Sequence, residues 1–401
     1  MAVLRQLRPV AWLWILAGAL GIAAILAHGL GGRLMRTGRP VEAVALSPSV
    51  DTLSQAAERL AAAGAWPLAA ASARAALSRS PIDLRALRVL GLAQEKLGHP
   101  QAGADIMNVA ARGGWRDTPT QVWLIEQAMR TGDVTTLAQR ADALARRNQS
   151  PDMVYATLRI VSSAPEVRPA LIERLAARPD WRALFFLSLR QARPEQIDGL
   201  VALVREMRRS EAPVTSTELF ALGERLIELD QPARARMLWA EASGRPTSAL
   251  IDDGGFERLA KRPADMLVPR FEWQFAETSG SASVEPGPWN SSPALRLTHD
   301  GFSLSRPISQ LLLLAPARYR VTARVKVDPD FNAAGYGLSL RCPNGLELVA
   351  TQPVESAGII RADFTVPASC PAQNLALTTF EGQARTASEL WLDDVRVSRL
   401  P

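Results

Sequence analysis

The sequence predicts a multidomain α + β chain: an N-terminal transmembrane helix, an α-helical repeat domain and a C-terminal antiparallel β-sandwich. Three observations carry this expectation. The segment from Val10 to Gly32 holds no charge over 23 residues. From about 50 to 248 apolar residues recur at helical spacing, and after 250 the period falls from ~3.6 to ~2. The 401 residues leave room for two or three domains, and 47% hydrophobic with 21% charged residues is the composition of a folded chain. In order, the segments are a short cytoplasmic tail (1–9), the anchor (10–32), a linker (33–49), the helical repeat (50–248) and the sandwich (249–401).

The run VAWLWILAGALGIAAILAHGLGG is long enough to span a hydrocarbon core of ~30 Å. Trp12 and Trp14 lie near its start, where a membrane interface favours indoles. A cleaved signal peptide is the alternative. The run exceeds a signal core of ~7–15 residues and Ala-His-Gly at 27–29 makes a poor cleavage site, so an uncleaved anchor is expected. The net charge of +6 is concentrated beside this segment, with +5 over residues 1–40, +3 over 41–264 and −2 over 265–401. A membrane flank explains that basic excess, and no nucleic-acid partner is expected.

Arg5 and Arg8 precede the span while Arg33, Arg36 and Arg39 follow it, so the positive-inside count is nearly balanced. The cysteines argue orientation instead. Cys342 and Cys370, 28 residues apart, fit one disulfide formed in an oxidising compartment; two unrelated reduced cysteines are the other reading. The expected location is a bacterial inner membrane, crossed once, with the large domain in the periplasm.

Within 50–248, turn signals separate amphipathic runs of about a dozen residues: Ala-Gly-Ala at 63–65, Leu-Gly-His-Pro at 97–100, Thr-Gly-Asp at 131–133 and Leu-Asp-Gln-Pro at 229–232. Helix pairs of this length bury their apolar faces only by stacking. Leu87, Leu90, Gly91, Gly103, Met107 and Ala110 reproduce the large and small positions of one repeat. Leu53, Leu60, Ala69, Ala73, Ala76 and Pro81 fit the unit before it, and Leu219, Leu222, Gly223, Leu226, Ala235, Trp239 and Ala242 a third. On these residues the region resembles the tetratricopeptide repeat, which implies a concave surface for a protein partner. Arg140, Arg146, Arg147, Arg208 and Arg209 line that surface or form a solvated helix face.

Beyond 250, ALRLTH, YRVTARVKV, YGLSLRC, LELVAT, GIIRADFTV, NLALTTF and LWLDDVRV alternate or run β-branched between Pro, Gly, Asn and Asp breaks. Such strands in ~135 residues read as an antiparallel sandwich. The opening Asp-Gly-Gly-Phe-Glu (253–257), Phe271-Glu272-Trp273 and the closing Leu-Asp-Asp-Val-Arg-Val resemble a jelly-roll module of the carbohydrate-binding, galactose-binding-domain-like class. The resemblance implies that the IDDGGFERL stretch is a first strand paired with WLDDVRV, and that Glu257, Asp393 and Asp252 hold a structural calcium through hard carboxylate oxygens. It also implies sugar binding by exposed rings, for which Trp289, Phe331, Tyr336 and Trp273 are the candidates. Strand alternation places Trp273 and Trp391 more naturally in the core.

His28, His99 and His299 are scattered, and no clustered metal spacing, phosphate loop or nucleophile elbow occurs. Glycoside hydrolysis needs a facing carboxylate pair, and nothing in the sequence names one. The expected function is a non-enzymatic, membrane-anchored scaffold or adaptor, accessory to assembling or exporting a surface polysaccharide. A protein-interaction factor with no sugar binding and a periplasmic carbohydrate-active hydrolase are the alternatives.

Overall fold

The computed structural model describes residues 9–246, 248–263, 266–276, 281–289, 291–299, 306–327, 336–351, 354, 357–379 and 388–401. The chain divides into two compact units, 1–149 and 150–401.

The first unit is helical. α1 (Pro9–Arg36) is followed by α2 (Pro40–Leu46), α3 (Val50–Ala62), α4 (Trp66–Leu77), α5 (Leu84–Lys96), α6 (Pro100–Ala111), α7 (Thr118–Thr131) and α8 (Val134–Arg146). From Trp12 to Arg36, α1 is long and apolar enough to cross a membrane, a length and composition that a signal sequence can share. Side-chain caps start the later helices: Ser49, Asp83, Asp117 and Asp133 each accept from the backbone N–H three residues on. The small residues of the repeat pattern set the helix spacing. Ala69, Ala73 and Ala76 pack among Leu53, Ala57, Ala86 and Val89. α5 and α6 approach so closely that a Cβ added at Gly103 would lie 2.7 Å from the Gly91 carbonyl oxygen.

The second unit joins six helices to the sandwich. α9 (Pro151–Val161), α10 (Arg168–Ala176), α11 (Arg182–Ser188), α12 (Ile197–Met207), α13 (Ser216–Glu228) and α14 (Pro232–Ser243) precede strands β1 (Gln274–Phe275), β2 (Ser281–Pro286), β3 (Pro293–His299), β4 (Ile308–Leu312) and β5 (Ala317–Val327). β6 (Tyr336–Arg341), β7 (Glu347–Ala350), β8 (Gly358–Val366), β9 (Gln373–Thr379) and β10 (Ser388–Arg399) complete it. The strands form two five-stranded antiparallel sheets, ordered β1-β4-β9-β6-β7 and β2-β3-β10-β5-β8. From β3 to β10, sequence neighbours alternate between sheets except for the β6–β7 hairpin, giving the orders 3-10-5-8 and 4-9-6-7, the arrangement of an eight-stranded jelly roll. Tyr319, Val321, Ala323, Val325 and Val327 of β5 turn inward at every second residue against Leu338, Leu340, Leu375 and Leu377 of the other sheet.

Cys342 and Cys370 form a disulfide across 28 residues, tying the end of β6 to the turn before β9. In the chain-entropy model a loop of this length stabilises the fold by ~3–4 kcal/mol. Urea denaturation of a Cys342→Ser, Cys370→Ser double variant is expected to show a loss of that order. An unchanged midpoint would contradict the assignment.

The stretch 251–259 departs from the strand that the resemblance implied. It is a series of turns leading into a short 3-10 turn, Leu259–Lys261, and the hydrogen-bonded neighbours of β10 are β3 and β5. Asp253 and Phe256 adopt positive φ of 53° and 62°, which no strand tolerates. The Asp253 carboxylate accepts from the N–H groups of Arg258 and Leu259, closing the turn. Phe256 enters the sandwich core, where its ring lies 5.4 Å from that of Trp273. One backbone bond reaches the closing strand: Val395 donates to the Gly254 carbonyl at 2.9 Å. β10 bulges there, setting Asp394 and Val395 against Ala323 alone.

Candidate functional site

The outward face of the sheet β2-β3-β10-β5-β8 is where ring and charge converge. Because side chains alternate along a strand, Leu390 and Leu392 enter the core while Glu389, Trp391 and Asp393 face outward. Trp391 stands opposite Arg296 of β3 and Lys326 of β5, and Asp393 stands opposite Arg324. Trp391 is therefore half-buried on the surface and not a core residue. Glu389 fixes it by accepting from the indole Nε1 at 2.9 Å and from Arg296 Nη2 at 2.7 Å. The Arg296 hydrogen bond outweighs desolvation and holds the Glu389 carboxyl below its ordinary value, with the Trp391 N–H adding to the effect.

A second pairing lies beside the first. Trp289, in the turn between β2 and β3, is half-buried beneath the Arg324 guanidinium, 4.6 Å from the ring centroid. Arg324 in turn donates to Asp393 Oδ2 at 2.7 Å and reaches Asp394 at 3.0 Å. The face thus holds two indoles, Trp391 fixed by Glu389 and Trp289 beneath Arg324, with Arg296 and Arg324 each paired to a carboxylate. Such an arrangement offers apolar rings for the flat side of a sugar and charged hydrogen-bonding groups for its hydroxyls.

The remaining sequence candidates fall elsewhere. Tyr336 and Trp273 are 1% and 2% exposed in the sandwich core and present no ring to a solute, which corrects their assignment as sugar contacts. Trp273 instead donates its indole N–H to the Asp253 carbonyl at 2.9 Å. Phe331 lies outside the described residues.

The acids assigned to calcium do not form a fitting donor set. Asp393 is committed to Arg324, and Asp252 is clamped by Arg245 and Arg258 at 2.5–2.6 Å. Glu257 is solvent-exposed. Among the described residues no group of three His, Cys, Asp or Glu side chains comes together. A cation here would have to displace guanidinium groups already bonded to the carboxylates.

Arg296, Arg324 and Glu389 were not legible as site residues. Alternation alone sends them outward, but their pairing with Trp391 and Trp289 depends on strand register and on the path of the β2–β3 turn.

No family model matches the sequence, and no curated protein matches it. Among solved structures, the chain is similar to TmCBM61 in complex with beta-1,4-galactotriose at 16% identity and a TM-score of 0.28, covering 38% of this chain and 99% of that one. It is similar to a family 16 carbohydrate-binding module at 16% identity and a TM-score of 0.27, covering 37% and 99%. It is also similar to a tetratricopeptide repeat protein from Parabacteroides merdae at 12% identity and a TM-score of 0.30, covering 55% and 93%.

Proposed function

We propose that this protein is a non-catalytic scaffold of a Gram-negative inner membrane, anchored by α1, with the large part of the chain that follows α1 in the periplasm. Its helices engage protein partners, and the outward face of the β2-β3-β10-β5-β8 sheet contacts a glycan during assembly or export of a surface polysaccharide. The observation that carries the glycan reading is the pair of half-buried indoles, Trp289 and Trp391, held on one sheet face by arginine–carboxylate pairs. The disulfide and the apolar α1 support the compartment.

Affinity electrophoresis of the detergent-solubilised full chain through gels containing bacterial exopolysaccharides tests this reading. Retardation is expected, and Trp391→Ala or Trp289→Ala should weaken it about tenfold, the equivalent of ~1.4 kcal/mol. No retardation in any gel, with protein partners still captured, would favour the protein-interaction reading. Release of reducing ends from those polysaccharides would overturn the non-catalytic one. An alkaline phosphatase fused after residue 45 should be active, and an inactive fusion would contradict the periplasmic placement.

A further inference from the structure

A strand at the edge of a sheet presents a row of unpaired N–H and C=O groups, and folds blunt such edges by keeping them short, bulged or closed by proline. Three of the four sandwich edges follow that rule. β1 has two residues, β7 has four and breaks register against β6, and β2 ends in Pro286 with Glu285 before it. β8 departs from it. This strand runs nine residues, Gly358–Val366, without proline, and pairs residue for residue with β5 without a bulge. Among the described residues no strand pairs with its other side.

The side chains of β8 separate by face. Ile360, Phe364 and Val366 are buried toward the core, with Ala362 between them. Ile359, Arg361, Asp363 and Thr365 face outward, and Ile359 is 66% exposed. Residues opposed across two strands share a face, so two copies of β8 related by a two-fold axis pair about a residue and not between two. An axis at Ala362 is the one that lets all nine residues pair. Gly358 then meets Val366 of the second copy, Ile359 meets Thr365, Ile360 meets Phe364 and Arg361 meets Asp363. Moving the axis to Arg361 or Asp363 would oppose like charges and shorten the ladder. Asp363 already holds Arg320 of β5 at 2.5 and 2.7 Å, and its carboxylate keeps lone pairs for a second guanidinium. Arg318, Arg320 and Arg324, the cations beside β8, stand on β5, ~5 Å farther from the axis.

We propose that β8 is a homodimer interface: two copies of this chain join edge to edge about Ala362, merging their five-stranded β2-β3-β10-β5-β8 sheets into one. The new ladder satisfies the free backbone groups of both edges. The Arg361–Asp363 contact occurs twice and fixes the register, and Ile359 is covered by Thr365 of the second copy. The axis stands perpendicular to the sheet, so the Trp289–Trp391 faces of both copies turn to the same side. The interface stands whether or not that face binds polysaccharide.

Sedimentation velocity on the detergent-solubilised full chain is expected to show a dimer. Arg361→Asp sets like charges opposite each other on both sides of the axis and should weaken association about tenfold or more. Cysteine cross-linking reads the register separately, because the native cysteines are paired and positions 359 and 365 are exposed. Ile359→Cys and Thr365→Cys chains, mixed and oxidised with copper phenanthroline, should cross-link to each other and neither to itself. A dimer of undiminished affinity in Arg361→Asp, or one lacking the mixed cross-link, would overturn the proposal. A monomer would also overturn it and leave the β8 edge to a strand of another protein.

Discussion

Replacing Arg182 with alanine is expected to destabilise the second unit by ~3–5 kcal/mol, the cost typical of removing one partner from a buried ion pair. Arg182 is 5% exposed at the start of α11 and ties four elements together. Its guanidinium donates to the Leu175 carbonyl ending α10 at 2.8 Å, and to the carbonyls of Ala212 and Pro213 at 3.0 and 3.1 Å. It also grips the Glu218 carboxylate of α13 at 2.6 and 2.9 Å. Alanine leaves those carbonyls and that carboxylate without a donor. Urea unfolding monitored by circular dichroism measures the loss, and a change below ~1 kcal/mol would show that water replaces the guanidinium.

The same contact sets an acid dependence. Desolvation acts to raise the Glu218 carboxyl, but hydrogen bonds from Arg182 and Thr215 prevail and hold it below its ordinary value. A carboxyl with a depressed folded pKa contributes stability above its unfolded value of ~4.3 and loses it as pH falls through the folded value. Wild-type stability should therefore fall with acidification below about pH 4.3, and Arg182→Ala should flatten that limb.

The second large effect is expected at Trp239, which is 1% exposed where α14 meets the sandwich. Its ring lies 5.8 Å from Phe271, its Nε1 donates to Glu272 Oε1 at 3.0 Å, and the guanidinium groups of Arg236 and Arg245 lie 4.8 and 5.2 Å from its centroid. Trp239→Ala should cost ~3–5 kcal/mol through lost apolar burial and the cavity left behind. Trp239→Phe keeps most of the ring and should cost only the hydrogen bond, ~1–2 kcal/mol. Equal losses in the two variants would show that ring volume contributes nothing there. Because α14 and the sandwich share this side chain, excising 249–401 as a separate fragment removes a core contact.

Much of the fold was legible because its signals are local. β8 occupies the stretch read from alternation, Gly358–Val366, and β3, β5, β6, β9 and β10 differ from their readings by a few residues at the ends. β4 went unread because ISQLL carries Leu311 and Leu312 together and buries a polar Gln310, breaking the alternation. Gln310 is inside because its amide exchanges two hydrogen bonds with the Asp252 backbone, a partner 58 residues away. β2 is short, sits at a sheet edge and mixes serines with Val284, so it carries little pattern.

The site was legible only in part. Loop position places Trp289 outside the core, as observed, but strand patterning puts Tyr336 outside and Trp391 inside, the reverse of where they lie. An aromatic residue in a strand shows its period and not its phase, and the register to neighbouring strands decides which face is buried.

Composition and periodicity by themselves determined the apolar α1, the helical array, the small residues at its crossings and the two-layered sandwich. Each of these follows from side-chain size and polarity at fixed local spacing. Tertiary structure alone decided that IDDGGFERL is a turn plugging the β10 bulge and that its Asp252 serves arginines. Those outcomes depend on which distant backbone or charge arrives beside a residue, and the free energy of burying a polar group is set by that neighbour.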